Sequence, residues 1–415
     1  MQRLRGEEGA SSGVGSRLTM TVRRLLHLVL LSGFLPALAE EFVPMFKPNS
    51  LEGWVNANCA PSTWSIKDGV VSCTGVPTGA LRTARQYENF ILEAEWRHLA
   101  ESGNSGIFIW GTPISAPGVP FLRGIEVQVL DHGYAKKLDP SKPRWFTTHG
   151  DVFPIHGATM KPHGEHNGQR SFPSEERSRP SPQWNHYRIE GRNGRLTLAV
   201  NGKVVSGGDD CVYRKGYLAL ESEGAPVEFR NVRICELPAG NPKPEETAPL
   251  DEGWRALYTG VDFANWITPA QGGDRWKVAN WQIQLSAGGM GPALWSQESF
   301  GDCEVICDVQ LPKGVDLSKP AAGLCVRGMS HPLVGFGAGT LAPIVLGPDQ
   351  VQAGRWYRVK ATLRGDSAEV LITEAQEANP RRFSAKLQRR TQGRIGLADL
   401  TQAVSYANVF VRELH

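Results

Sequence analysis

The chain repeats one plan twice along its 415 residues, and this repetition constrains the fold more than any other feature. The first half contains TWSIKDGVVSCTG where the second contains RWKVANWQIQLSAG, and SGIFIWG where the second contains AGLCVRG. The two halves close on similar segments, GYLALESEGAPVEFRNVRICEL and GRIGLADLTQAVSYANVFVREL. Self-similarity over the whole length predicts two copies of one fold.

Each half consists of short segments that alternate apolar and polar residues, bounded by Gly, Asn, Asp and Pro, with almost no helical periodicity. This pattern predicts an all-β protein built from two tandem jelly-roll β-sandwiches. We place the first sandwich at residues 40–237 and a second, degenerate copy at 251–415. The Pro-rich stretch PAGNPKPEETAPL supplies a linker at 238–250.

Residues 1–39 have the layout of a signal peptide with an N-terminal extension. Arg23 and Arg24 precede an apolar run at 25–35, and small residues follow up to Ala39. We therefore expect cleavage near Ala39 and export of a soluble chain to the periplasm or the extracellular space. The mature chain should have no membrane span, since the apolar run is short. The alternative is a retained N-terminal anchor, and Met20 is a second candidate for the start.

Charge and cysteine content narrow the partners. The formal net charge is +3 and no stripe of Lys and Arg is present, so nucleic acid is not an expected partner. An oxidising compartment would permit disulfides among the seven cysteines, although the pairing cannot be deduced from sequence. The alternative is that the cysteines are buried free thiols. Their spacing matches no zinc finger or ribbon.

Several motifs in the first half resemble those of the 3-keto-disaccharide hydrolase family, also described as 3-keto-glycoside lyase/hydratase. They include TWSIKDGVVSCTG, LRTARQYENFILEAEWR, NSGIF, GIEVQVLD and PVEFRNVRICEL. The resemblance covers residues 41–237, and more weakly 252–415. It implies a concanavalin A-like jelly roll in each copy. It also implies an enzyme that cleaves 3-keto-glycosides or 3-keto-disaccharides through C2 proton abstraction, β-elimination and hydration.

That chemistry asks for a base of tuned pKa at the acidified C2–H and for an electrophile at the enolate oxygen. A His or a carboxylate serves as the base, and a divalent metal ion or a group of hydrogen-bond donors serves as the electrophile. The resemblance therefore implies a carbohydrate partner and a divalent metal as the candidate cofactor.

The strand GIEVQVLD carries the strongest candidates. Glu126 and Gln128 share one face of this strand, with Glu126 as a base or metal ligand and Gln128 as a substrate contact. The alternative is a polar outer face of the sandwich. Asp131 and His132 end the strand and are further catalytic candidates, whereas Asp131 could instead be a turn residue that bonds the local backbone.

A long loop, 131–182, follows this strand, and the second half has neither a strand like GIEVQVLD nor such a loop. It holds five of the ten histidines, His132, His149, His156, His163 and His166. Loops this long are commonly functional. With Glu126 and Asp131, His149 and His156 complete the predicted set of metal ligands, since these residue types suit a divalent ion.

Most of the remaining candidates have a structural alternative. His98 is a candidate base, or a strand-end histidine bonded to the backbone. Arg97 is a candidate substrate contact, or the partner of Glu93 or Glu95. Further predicted substrate contacts are Asn104, Lys161, Glu221 and Trp110. Glu221 shares a face with Glu223, and both could be solvated edge carboxylates. Trp110 could stack on a sugar ring or lie in the core.

A second function remains open, namely a non-catalytic, lectin-like tandem module that binds carbohydrate, because one fold hosts many functions. A third function, a retaining β-glucanase, is disfavoured. It needs clustered carboxylates on one strand, and GIEVQVLD offers only Glu126 before Asp131.

Overall fold

The computed structural model describes residues 40–137, 141, 146–147, 149–375, 377, 379–387 and 391–414. The predicted signal peptide and its cleavage site lie outside these residues. Within them the chain forms strands and three short 3-10 segments, at His132–Lys137, Pro244–Glu246 and Gly273–Arg275. No helix among the described residues has the length and apolar character needed to cross a bilayer.

Fifteen strands make up the first sandwich. In chain order they are β1 (Val43–Pro44), β2 (Trp54–Asn56), β3 (Trp64–Lys67), β4 (Val70–Cys73), β5 (Gly79–Thr83), β6 (Phe90–His98), β7 (Asn104–Gly111), β8 (Gly124–Leu130), β9 (Val152–Ile155), β10 (Thr159–Pro162), β11 (Asn185–Arg192), β12 (Arg195–Val200), β13 (Lys203–Val212), β14 (Tyr217–Ser222) and β15 (Val227–Glu236). The large sheet has the order β10-β13-β12-β11-β6-β15-β4-β3, with β1 paired to β15, and the small sheet has the order β2-β5-β14-β7-β8-β9.

Fourteen strands make up the second sandwich. They are β16 (Arg255–Ala256), β17 (Trp266–Ile267), β18 (Trp276–Ala279), β19 (Gln282–Leu285), β20 (Gly291–Phe300), β21 (Cys303–Gln310), β22 (Ala322–Cys325), β23 (Val334–Phe336), β24 (Ile344–Leu346), β25 (Trp356–Arg364), β26 (Ser367–Glu374), β27 (Arg381–Lys386), β28 (Gly393–Asp399) and β29 (Val404–Glu413). Its sheets have the orders β18-β19-β29-β21-β25-β26-β27 and β17-β20-β28-β22-β23-β24, and β16 pairs with β29. The predicted all-β class with two jelly-roll sandwiches is confirmed.

Alternation of side chains builds each core. On β11, Tyr187 and Ile189 are fully buried while Arg188 between them is partly exposed. Tyr187 packs edge-on against Trp96 of β6, with ring centroids 5.3 Å apart. Each large side chain removed from water in this way contributes roughly 1.5–3 kcal/mol. The second core follows the same rule, with Tyr357 and Val359 buried on β25.

Two predictions about local structure need correction. The loop 131–182 contains the strands β9 and β10, which extend the small and the large sheet of the first sandwich. In the second sandwich, the short strand β23 has the place beside β22 that β8 has beside β7, and β24 forms the edge of the sheet, although the sequence has no segment like GIEVQVLD there. β23 reads Val-Gly-Phe and so brings no carboxylate to that sheet.

Residues 41–415 pack as one compact unit. The hairpin loop between β7 and β8 contacts the second sandwich, because the amide of Gly118 donates to Asp308 (2.8 Å). Asn408 donates to the carbonyl of Val119 (2.8 Å). The segment between the sandwiches is also held, since Ala248 and Lys215 bond through their backbones. The domain boundaries stay predictions.

Candidate active site: a buried carboxyl cluster

The outer face of the small sheet in the first sandwich carries a cluster of three carboxyl groups. Glu126 lies on β8, Glu221 lies on β14, and Glu223 lies just beyond β14. Strand β7 runs between them, with Gly106 opposite Gln128 and Phe108 opposite Glu126. Side chains of opposite parity, such as Val127 and Leu220, fill the core. Period-two alternation therefore separates the carboxyl face from the core face.

A glycine makes room for the cluster. A Cβ atom placed on Gly106 would lie 2.9 Å from Glu221 Oε2 and 3.0 Å from Glu126 Oε1. Both carboxyl groups thus occupy the space above this one glycine. They are almost closed to solvent, with 8% of Glu126 and 1% of Glu221 exposed.

Burial and mutual repulsion change the acidity of all three groups. Burial raises the pKa of Glu126 to about 8, and the neighbouring charge of Glu223 adds to the effect. Burial also raises the pKa of Glu223 to about 7, against the opposing effect of a hydrogen bond from Asn104. Glu221 is the deepest, and burial followed by the charges of Glu223 and Glu126 raises its pKa well above the ordinary range. Around neutral pH the cluster therefore holds both protonated and ionised carboxyl groups.

A network of donors borders the carboxyl cluster. The Asn104 amide donates to Glu223, and Gln128 Nε2 donates to Asn104 Oδ1 (2.9 Å). Arg170 Nη1 donates to Gln128 Oε1 (3.2 Å) and to Asp151 Oδ2 (3.0 Å). The Arg170 guanidinium also lies over the Phe153 ring, 3.4 Å from its centroid. Of the predicted substrate contacts, Glu221 thus belongs to the carboxyl cluster, and Asn104 and Gln128 belong to the donor network that borders it.

The predicted metal ligands do not converge. Asp131 accepts the backbone amides of Ser102, Gly133 and Ser181, each at 2.8 Å. Burial alone would raise the pKa of Asp131, but these three hydrogen bonds outweigh it and lower the pKa. Asp131 thus has the turn role that was its alternative. His156 stacks on Phe121 at an exposed position, with centroids 5.8 Å apart.

His132 and His149 come together instead with a residue that the sequence did not single out. His132 Nε2 lies 3.0 Å from Glu176 Oε1, and His149 Nδ1 lies 2.9 Å from the same oxygen. The residues Glu126, Asp131, His149 and His156 therefore do not fit one ion as a set, and no chemical step is assigned to a metal at that set.

Three other candidates lie away from the cluster. His98 is buried between the sheets, where its Nε2 bonds the carbonyl of Val129 (2.9 Å) and burial lowers its pKa. Arg97 pairs with Glu228 on the outer face of the large sheet (2.7 Å), away from the carboxyl cluster, and not with Glu93 or Glu95 as its structural alternative suggested. Lys161 is exposed and pairs with Asp210 (2.7 Å).

Trp110 is a core residue. It is fully buried, and its indole N–H donates to the carbonyl of Glu88 (2.8 Å), so no ring face is available to a sugar. Its backbone is left-handed, with φ of 54°, and Arg327 in the second sandwich has φ of 51°. Arg327 is equally buried and pairs with Asp302 (2.9 Å). Trp110, near the end of β7, and Arg327, just after β22, are therefore both buried structural residues.

The seven cysteines are buried free thiols, which was the alternative to disulfides. Burial raises the pKa of Cys59 and of Cys211 to about 12, so neither is a nucleophile at neutral pH.

A separate cleft of about 1040 Å³ lies where the two sandwiches meet. The β7–β8 loop and Arg123 line it from the first sandwich, and Trp254, Trp356 and Lys360 line it from the second. The carboxyl cluster is not among its lining residues.

Comparison with known proteins assigns a family likeness to the first sandwich. The family model of the 3-keto-alpha-glucoside-1,2-lyase-like domain matches residues 41–235. This match supports a carbohydrate-related function. No curated protein matches the chain.

Solved structures resemble about half of the chain. A presumed glycosyl hydrolase from Parabacteroides distasonis has 20% identity and a TM-score of 0.36, over 48% of this chain and 95% of its own. The carbohydrate-binding module CBM66 from Bacillus subtilis has 16% identity and a TM-score of 0.30, over 44% and 96%. The Bacillus licheniformis beta-glucanase has 14% identity and a TM-score of 0.30, over 48% and 98%.

Proposed function

We propose that the first sandwich cleaves 3-keto-glycosides by proton abstraction at C2, β-elimination and hydration. The observation that carries this proposal is the carboxyl cluster, in which Glu126 and Glu223 have pKa values of about 8 and about 7. A carboxyl pair in this range supplies both an acceptor and a donor of protons near neutral pH. The family likeness of residues 41–235 agrees with such a substrate.

The bonds change as follows. An ionised carboxylate takes the C2 proton, and the C2–H electrons form an enolate with the C3 carbonyl. The enolate then reforms the carbonyl, the C1–C2 double bond forms, and the C1–O bond breaks with its electrons on the leaving oxygen. A protonated carboxyl group gives that oxygen its proton. Water finally adds its oxygen to C1 and a proton to C2, which completes a net hydrolysis.

Glu126 and Glu223 act as the two proton carriers, one ionised and one protonated. Glu221 stays protonated beneath them, because its pKa is raised well above the ordinary range. Arg170 contributes positive charge beside Gln128, where a developing enolate is stabilised. The Asn104 and Gln128 amides orient the sugar hydroxyls.

The second candidate function is carbohydrate binding without catalysis. The low exposure of the carboxyl groups favours it, since only 8% of Glu126 and 1% of Glu221 can be reached by solvent. Under this function the carboxyl cluster does not touch substrate, and a glycan binds without turnover.

Turnover of a 3-keto-disaccharide, compared with its unoxidised parent, tests the proposal. The protein should cleave only the keto sugar, and Glu126→Gln should lower kcat by about 10²-fold or more, as expected for a proton carrier. The matched control is Glu101→Gln, an exposed glutamate paired with Lys136. Turnover that survives Glu126→Gln would overturn the assignment, and glycan binding without cleavage would favour the second candidate.

We also propose export, with cleavage near Ala39 and residence in the periplasm or outside the cell. The basic and apolar pattern of residues 1–39 supports this location. N-terminal sequencing of the protein from culture medium and from the periplasm is the direct measurement.

A further inference from the structure

We propose that His132, His149 and Glu176 form a binding site for one divalent transition-metal ion. Among the residues that the structure describes, these three are the group whose His, Cys or carboxylate ligand atoms lie close enough to share an ion, all within 4.8 Å of one another. The site differs from the ligand set expected from sequence, and it shares no residue with the carboxyl cluster.

The two imidazole nitrogens are aimed at one carboxylate oxygen. Glu176 Oε1 lies 3.0 Å from His132 Nε2 and 2.9 Å from His149 Nδ1. Ser178 Oγ lies 2.6 Å from the same His132 nitrogen. Ligands on neighbouring corners of a zinc tetrahedron are ~3.3–3.6 Å apart, because each lies about 2.0–2.2 Å from the metal. A small outward movement of these groups therefore admits an ion at their centre.

The donor set selects the class of ion. Two imidazoles and one carboxylate suit Zn²⁺, Co²⁺ or Ni²⁺, whereas Mg²⁺ and Ca²⁺ prefer oxygen ligands alone. Three protein ligands leave a fourth position for the Ser178 hydroxyl or for water. Solvent has access, since the side chain of Glu176 is 56% exposed, while that of His149 is 1% exposed.

The backbone next to His132 is fixed. Asp131 accepts three backbone amides, as described above, and these bonds hold the start of the loop in place. Charge-assisted bonds of this kind are the strong ones. The His132 Cα therefore cannot drift far when the side chain exchanges Glu176 for an ion.

The segments that carry the other two ligands are fixed as well. The Thr147 hydroxyl donates to the carbonyl of His149 (3.1 Å), and Ser206 donates to the carbonyl of Gly150 (2.5 Å). Beside Glu176, the Arg177 guanidinium donates to the carbonyls of Val200 (3.1 Å) and Asn201 (3.0 Å). Ligands on anchored segments are the condition for a preorganised metal site.

A bound ion would link three separate stretches of the loop 131–182. One of these stretches contains Asp151, which pairs with Arg170 next to Gln128. The ion would therefore stabilise the donor network beside the carboxyl cluster without touching it. This inference rests on geometry alone and does not depend on the proposed reaction.

Metal binding by the whole protein is the test. The protein is stripped with a chelator and titrated with Zn²⁺ by calorimetry and with Co²⁺ by visible absorption, with the metal content measured by mass spectrometry. We expect one ion per chain, a Co²⁺ spectrum of low coordination number and a rise in Tm. His132→Ala and the milder Glu176→Gln should each weaken binding by about 100-fold or more, beyond the 10–100-fold effect of outer groups.

The matched control is His163→Ala, which breaks another histidine–carboxylate pair, His163 with Asp209 (2.9 Å). This variant should bind the ion as the parent does. Absence of stoichiometric binding, or equal binding by the Glu176→Gln and His163→Ala variants, would overturn the site. Binding without sugar cleavage would leave the site intact and refute the proposed reaction, so the two failures are distinguishable.

Discussion

At the scale of single residues, the most unusual feature is a group of three carboxyls kept out of water, none of which forms an ion pair with a residue that the structure describes. The charge of Arg170 lowers the pKa of Glu126, but burial and the charge of Glu223 outweigh it. Holding such groups in the fold costs free energy whenever they ionise. Such a cost is common at functional sites, and it supports the proposed catalytic role of the carboxyl cluster.

The stability of the fold should therefore fall as pH rises. Glu126 has a pKa of about 8 in the folded chain against 4.5 for an ordinary glutamate, so the folded state binds more protons between these values. The contribution is fully present below pH 4.5 and is lost as pH rises through about 8, on the order of 1.4 kcal/mol for each pKa unit. Urea unfolding between pH 5 and 9 measures it.

Glu126→Gln should flatten that pH dependence, because the amide does not titrate. The variant should gain stability relative to the parent at high pH and lose this advantage at low pH. Glu101→Gln is the matched control and should leave the profile unchanged. Parallel profiles for the parent and the Glu126→Gln variant would contradict the raised pKa.

Sequence reasoning located part of this site for a clear physical reason. The alternation of side chains along a strand places Glu126 and Gln128 on one face, and Glu221 and Glu223 on another shared face. Alternation does not reveal which sheet a strand joins. Arg97 and His98 end a strand that alternates in the same way. This strand, β6, belongs to the large sheet, so neither residue lies beside the cluster.

The residues that sequence reasoning missed come from loops. Arg170 and Glu176 reach their partners across the loop 131–182, and no periodicity predicts such a contact. Histidine density pointed to this loop, and His149 of the predicted ligand set lies beside a second histidine and a carboxylate. Histidine density could not separate His149 from His156, because His156 turns away to stack on Phe121.

At the scale of elements, β7 lies between the strands that carry Glu126 and Glu221, and its Gly106 lies directly beneath both carboxyl groups. Gly106→Ala should destabilise the fold by about 1–3 kcal/mol, because its Cβ would lie 2.9 Å from Glu221 and 3.0 Å from Glu126. The same displacement should lower turnover. Chemical denaturation and the keto-sugar assay measure the two effects.

Gly289→Ala is the matched control for Gly106→Ala, since the added Cβ would meet no atom within 4 Å. We expect little change in stability or turnover for this variant. A Gly106→Ala protein as stable and active as the parent would mean that the carboxyl groups relax freely, and that the site is less closely packed than it is in the structure.

At the scale of the whole molecule, Asp308 joins the sandwiches. It is fully buried and accepts from Gly118 (2.8 Å), Asn408 (2.7 Å) and Arg358 (2.7 Å). Asp308→Ala should cost about 3–5 kcal/mol, because it leaves the Arg358 charge without its partner. Urea unfolding followed by tryptophan fluorescence measures the loss.

Asp366→Ala provides the comparison, since Asp366 pairs with Lys386 on the surface. An exposed pair contributes about 0–1 kcal/mol, so this variant should unfold nearly as the parent does. Equal losses for the two variants would contradict the role of Asp308 as the buried link between the sandwiches.

The β7–β8 loop makes the first sandwich depend on the second. Its residue Leu122 packs on Phe108 and Ala219 over the carboxyl face, while its tip at Gly118 is held by Asp308 of the other sandwich. A chain that kept only the first sandwich would retain Glu126, Glu221 and Glu223. It would lose the hydrogen bond from Gly118 to Asp308 that holds the tip of this loop. The proposed reaction would therefore need both halves on a single polypeptide.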